Sequence, residues 1–178
     1  MERSAEQMQR TVLIDDSGWG DPILGVVIGV LDLPAGRYFE RKILPVFFQP
    51  PRFERQDYLD RAVEIVEEAI EVMKIGKEAK FRVCQGYILL KVRQYLRSQD
   101  YKVEDTVITG DLQKRIEKSF LKWCEEVGVP KHLLKEESGK PRFWVLMNWV
   151  KENPKVRENL VKTGWKSWNE RWKEYVYS

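Results

Sequence analysis

Histidine and cysteine are scarce in this sequence of 178 residues, with one histidine, His132, and two cysteines, Cys84 and Cys124. Two cysteines build neither a disulfide framework nor a four-cysteine zinc site, and each reads as a buried, unpaired thiol. His132 stands in the loop-like stretch Pro130-Lys131-His132, which leaves little basis for a histidine metal site or a Ser-His-Asp triad. Long apolar runs are missing as well. The longest, Ile23 to Leu33, is broken by Gly25, Gly29 and Asp32 and is far too short for a membrane span. Met1 to Arg10 is polar and charged, without the apolar centre of a signal sequence. The sequence has no internal repeat and no low-complexity tract. A soluble, cytoplasmic protein is the expectation, and any acid–base or metal chemistry has to rest on carboxylates.

What is present suits a folded domain. Hydrophobic residues make up 43% and aromatic residues 12%, enough for a sizeable core and too many for a disordered chain. The charged fraction of 33%, rich in Lys and Glu, hints at a heat-adapted source. Charge is unevenly spread. Lys131 to Ser178 holds 11 basic and 6 acidic residues, net +5, against 20 basic and 22 acidic, net −2, in the remainder. The expected organisation is a domain over 1–130 and a basic, helical, tryptophan-rich appendage over 131–178 packed on it.

Three β-rich runs come first: Thr11–Asp16, Gly25–Leu33 and Tyr38–Gln49, the last carrying Pro45 as a sign of an edge or a bulge. After Pro50-Pro51 the period changes. Leu59, Ala62, Val63, Val66, Ala69, Ile70 and Met73 repeat at three and four residues, predicting a helix with Asp57 as N-cap and Gly76 as its end. A short strand (Lys80–Gln85), a helix (Tyr87–Leu96), a strand (Tyr101–Ile108) and a helix opening at Asp111 follow. The order β-β-β-α-β-α-β-α predicts an α/β fold with a mixed five-stranded sheet, three antiparallel strands then two reached by helical crossovers.

Two places carry candidate chemistry. Asp15-Asp16 ends the first strand and leads into Ser17-Gly18-Trp19-Gly20, a loop whose backbone could approach a phosphate. Adjacent strand residues face opposite sides, so one of the two acids reaches a common site only if the chain turns. An ordinary strand end with an Asx turn explains the same residues. Thr109-Gly110-Asp111 places a third acid after the last strand and at a helix start, where the macrodipole alone also favours it. If the ends of the first and last strands meet, Asp15, Asp16 and Asp111 make a carboxylate set suited to Mg²⁺ or Mn²⁺. Such ions activate water in phosphodiester cleavage.

The strand order and Ile14-Asp15-Asp16-Ser17-Gly18-Trp19-Gly20 resemble the ribonuclease H superfamily, most closely the type 2 ribonucleases H, which open with a strand ending in Asp-Glu-Ala-Gly-Arg-Gly. The topological likeness spans about Val12 to Val127. It implies a ribonuclease H-like domain, a metal-dependent nuclease activity on DNA or RNA, and Asp15, Asp16 and Asp111 as metal-holding catalytic groups. It also implies that the backbone of Gly18, Trp19 and Gly20 contacts substrate. Trp19 stands where the family has Arg. Cys84 and Gln85 stand where the fourth strand of the family ends in an acid. A glutamate of the first long helix, Glu64, Glu67, Glu68 or Glu71, could compensate, although a solvated helix face accounts for all four. The departure at Cys84 keeps a second class open, a non-catalytic ribonuclease H-like module that binds nucleic acid or a protein.

The C-terminal quarter holds Trp144, Trp149, Trp165, Trp168 and Trp172 interleaved with Lys162, Lys166, Arg171 and Lys173. Aromatics and cations at this density can stack on bases and neutralise phosphates. The same helix-spaced tryptophans can equally pack on the sheet.

Overall fold

The computed structural model describes residues 9–135 and 139–178. Five strands form one mixed sheet in the order β3-β2-β1-β4-β5: β1 Thr11–Ser17, β2 Val26–Leu33, β3 Arg37–Ile43, β4 Lys80–Cys84 and β5 Lys102–Thr106. β1 pairs antiparallel with β2 and parallel with β4. β2–β3 is antiparallel and β4–β5 parallel. The expected α/β fold with a mixed five-stranded sheet flanked by helices is therefore present. β2 is buried on both faces from Val26 to Asp32, as a central strand without alternation should be.

The third strand is shorter than its apolar run. Pro45 opens a 3₁₀ turn, Pro45–Phe48, because proline gives the ladder no donor. The helix α1, Asp57–Val72, carries the expected stripe of Leu59, Ala62, Val66 and Ala69. Asp57 is its first residue, not its cap: Gln56 takes the cap position and Asp57 pairs with Arg55. Lys74, not Gly76, supplies the left-handed turn that follows the helix. α2, Leu90–Ser98, follows a 3₁₀ turn at Tyr87–Leu89, and α3 spans Asp111–Glu126.

The sheet divides the core in two. Val12, Ile14, Val30, Phe81 and Val83 face α1 and α2. Val27 and Leu31 face α3 together with α4, Lys140–Glu152. Burying one such aliphatic side chain stabilises the fold by about 1.5–3 kcal/mol. Gly29, opposite Asp15 in the β1–β2 register, lets α3 approach: a Cβ there would lie 2.3 Å from Ile116.

The C-terminal quarter contributes to this second half of the core. Trp149 and Trp168 are buried with Leu146, Val150 and Val161. After α4 the chain makes short turns only, α5 at Pro154–Arg157, a π-turn at Trp168–Trp172 and α6 at Lys173–Tyr177. Residues 160–162 run beside the segment that precedes β2. Leu24 N–H donates to Leu160 C=O at 2.7 Å and Lys162 N–H to Pro22 C=O at 2.9 Å. Among the described residues no helix is long and apolar enough to cross a membrane.

Candidate functional site

Because β1 and β4 are parallel neighbours, their C-terminal ends lie side by side. Asp15 and Asp16 stand just before Ser17, the last residue of β1, and Cys84 closes β4. One carboxylate oxygen of each aspartate and the Cys84 Sγ all lie within 4.8 Å of one another. Asp16 reaches this group across the end of β4. Its Oδ1 lies 3.0 Å from the point a Cβ on Gly86 would occupy, so the missing side chain of Gly86 makes room for it. Arg93, itself buried, fixes that turn by donating to the carbonyls of Cys84 at 2.6 Å and Gly86 at 3.0 Å.

The electrostatics of the group are unfavourable to charge. Asp15 is 6% exposed and accepts the Asp16 N–H at 2.9 Å. Burial raises its pKa, opposed by that N–H and by a hydrogen bond from the Cys84 thiol. Asp16 is pushed up to about 7, first by burial and then by the charge of Asp15, with Lys162 opposing. Burial also pushes the Cys84 thiol up to about 11, so at neutral pH it is a protonated donor. Neither aspartate forms an ion pair among the described residues. Two carboxylates and one thiol form a mixed donor set. The oxygens suit a hard divalent ion, and the sulfur favours Mn²⁺ over Mg²⁺.

The group forms one wall of a cavity of about 410 Å³. Trp19, Glu117 and Arg142 contribute to the other walls. The loop after β1 turns at Gly18, with φ +102°, where a Cβ would also sit 2.4 Å from the Phe120 ring. Only glycine satisfies both conditions. Beneath this loop lies a connected set of charges. Ser17 Oγ donates to Glu117 at 2.5 Å. Arg142 donates to Glu117 and, through Nε and Nη2, to both oxygens of Asp21 at 2.7 and 2.6 Å. Lys162, 1% exposed, donates from Nζ to the carbonyls of Gly18, of Trp19 at 3.2 Å and of Asp21 at 2.8 Å.

Asp15, Asp16, Gly18, Trp19 and Gly20 thus stand together at the cavity, and Asp111 stands apart. Asp111 is 63% exposed, pairs with Arg115 at 3.0 Å and does not line the cavity. Two features account for this. β4 lies between β1 and β5, so the strand end beside Asp15 is that of Cys84. On α3, Gln113, Ile116 and Glu117 face the cavity, and Asp111 is about 200° round the helix from Gln113. Gln85 is exposed and outside the lining, and none of Glu64, Glu67, Glu68 or Glu71 belongs to it.

Sequence reasoning missed Asp21, Glu117 and Arg142, and it read Lys162 as one of the tail cations facing phosphate, whereas Lys162 is buried and turned inward to the loop. Asp21 and Glu117 left traces, the first as the next acid of the same loop, the second at the edge of the α3 apolar stripe. Arg142 left none, and Lys162 stood out only as one cation of the tail, since nothing local distinguishes a buried cation from a solvated one. Trp165 packs edge-on against Trp19, with ring centroids 6.3 Å apart, and Trp144 against Trp172 at 5.2 Å. No protein-family model matches the chain, and no curated protein matches it in sequence.

Proposed function

We propose that the chain is a ribonuclease H-like, divalent-cation-dependent phosphodiesterase acting on DNA or RNA. The observation that carries this reading is the Asp15–Asp16 pair, partly to fully buried, joined by Cys84 and lacking any ion-pair partner among the described residues. A buried like-charged pair is costly unless it is protonated or holds a cation. The strand order, with acids at the end of the middle strand, supports the same architecture. Asp15 and Asp16 would hold Mn²⁺ or Mg²⁺, with Cys84 as a weaker third donor. Bound there, the ion supplies positive charge against a phosphate and lowers the pKa of a water. The Gly18–Gly20 loop forms the adjoining wall, where substrate backbone would lie, and Trp19 presents its ring beside Tyr87 at 5.9 Å. Asp111 is given no part.

The test is cleavage of single- and double-stranded DNA, RNA and their hybrid with Mn²⁺ or Mg²⁺, by the wild type and Asp15→Asn. The variant keeps shape and loses the charge a hard cation needs, so cleavage should fall at least about 1000-fold with the fold intact. Equal cleavage by both proteins overturns the reading. One observation favours a second reading, a non-catalytic module: the fourth-strand donor is a protonated thiol bonded to Asp15. A wild type with neither cleavage nor Mn²⁺-dependent stabilisation decides for it.

A further inference from the structure

Lys162 belongs to the C-terminal segment, yet its ammonium lies under the loop that follows Asp15-Asp16. It is among the largest fully buried side chains of the molecule, beside Phe48, Phe81 and Phe120. Placing an ammonium there is costly unless its hydrogens are satisfied, and burial pulls its pKa down to about 7, with the charges of Asp21 and Asp16 opposing. All three acceptors are backbone carbonyls of one short loop, Gly18, Trp19 and Asp21. The rings of Phe48 and Trp165 flank the ammonium, each with its centroid 5.2 Å from Nζ. The backbone on both sides of Lys162 is itself tied down. Its N–H donates to Pro22, Gly164 N–H donates to Phe48 C=O at 2.9 Å, and Gln49 reaches the Val161 carbonyl at 2.9 Å. The cation is therefore held from its own side and gathers the loop from the other.

This arrangement determines which way the loop faces. In a trans peptide the C=O and N–H point in opposite directions. The carbonyls of Gly18 and Trp19 turn inward to Nζ, so the amides of Trp19 and Gly20 turn away from it. Those amides donate to no protein acceptor among the described residues, and both residues line the cavity beside Asp15 and Asp16.

We propose that Lys162 is a positioning residue: its buried ammonium, by holding the carbonyls of Gly18, Trp19 and Asp21, sets the loop that receives substrate next to the aspartate pair. The consequence for turnover rests on the nuclease reading above; the brace itself does not.

Two measurements address the brace alone. In the wild type at pH 6, the protected Lys162 ammonium should give a slowly exchanging ¹H–¹⁵N resonance, and its absence overturns the proposal without any variant. In Lys162→Met, which keeps the stem and removes the donors, the Asp21 amide that donates to Gly18 at 3.1 Å should exchange at least tenfold faster. The amides of Ile14 and Val30 should keep their protection. Unchanged exchange at Asp21, or equal loss of protection at all three positions, overturns it.

The third measurement concerns turnover. In Lys162→Met, KM for nucleic acid should rise at least tenfold while kcat and the Mn²⁺ concentration at half-activation change less than threefold. A fall in kcat with KM unchanged marks a merely structural role and overturns the positioning claim. A wild type that does not cleave overturns the nuclease reading, and the exchange data still decide the brace.

Discussion

β1 and β2 meet buried aspartates at both ends, and the two ends treat them in opposite ways. At one end Asp32, 1% exposed, receives Arg10 Nε at 2.9 Å and Nη2 at 2.8 Å and Arg37 Nη2 at 2.6 Å. These guanidinium groups, Arg10 foremost, hold its pKa below the ordinary carboxylate value. At the other end Asp15 and Asp16 have each other, a thiol and no ion-pair partner among the described residues, and both are shifted upward. In the lining of the same cavity, Asp21 and Glu117 return to the first pattern, with Arg142 between them. Acids that serve the fold are neutralised where they stand. The pair at the cavity has no such ion-pair partner among the described residues, and it is there that the proposed cation would bind.

The sharpest way to break this comparison is to give the matched acids the condition of the unmatched ones. Arg142→Met leaves Asp21 buried and Glu117 half-buried without their cation. Removing one partner of a buried ion pair costs about 3–5 kcal/mol. For a chain of this size the melting temperature should fall by roughly 6–20 °C, as read by calorimetry. A fall below about 3 °C would mean that water reaches these acids easily and that the matched set is not buried in effect.

Asp32→Asn applies the same logic at the far end with a smaller effect. Arg10 and Arg37 are 21% and 47% exposed and regain water when the carboxylate goes. The expected loss at pH 7 is about 2–3 kcal/mol, below the range for a fully buried pair. Its pH dependence has a definite sign. A carboxylate with a depressed folded pKa contributes stability that is present above its unfolded value, about 3.9, and is lost as pH falls through the folded value. The gap between wild type and variant should therefore narrow on acidification below about pH 4. A gap that stays constant from pH 7 to pH 3 would show that the arginines are not what stabilises Asp32.

The sheet was legible in the sequence because its signals are local. Val and Ile runs, the break at Pro50-Pro51 and the change of period at Asp57 each report on their own neighbourhood. The Asp15-Asp16 pair and the glycine loop were legible for the same reason. Asp111 illustrates where this stops. Its place after a strand was evident, but its distance from Asp15 depends on which strand lies between and on the rotation of α3. Lys162 is the opposite case. It acts 144 residues away from Gly18, and its neighbours in sequence are those of any surface lysine near tryptophans. Burial made the difference, and burial is a property of the assembled core.

A third test adds the missing charge. If the aspartate pair holds Mn²⁺, the ion stabilises the native state by mass action, by about 2.7 kcal/mol at a hundred times its Kd. Wild type should gain roughly 5–11 °C under those conditions, and Asp32→Asn, whose lesion is at the other end, should gain the same. Cys84→Ser should gain less with Mn²⁺ than wild type and lose little with Mg²⁺, since a hard ion makes scant use of sulfur. Equal shifts for both ions in both proteins would remove Cys84 from the donor set.

The smallest effect is a gain, and it carries the opposite sign to those of Arg142→Met and Asp32→Asn. Asp16→Asn in metal-free protein at pH 8 removes one of two adjacent carboxylates. Burial and the charge of Asp15 push Asp16 up to about 7, so its carboxylate is mostly ionised at that pH. The amide replaces a charge by a neutral group of the same shape, and it can donate to Asp15 where the carboxylate repelled it. Relieving one such contact at a half-buried site should stabilise by about 1 kcal/mol, read as a rise of roughly 2–4 °C. Addition of Mn²⁺ should reverse the order, because the variant has lost a ligand and the wild type gains the ion. A metal-free variant that melts below wild type would mean that a donor or cation already satisfies Asp16. The two ends of β1 and β2 would then be alike, and the case for a cation at the cavity would lose its electrostatic basis.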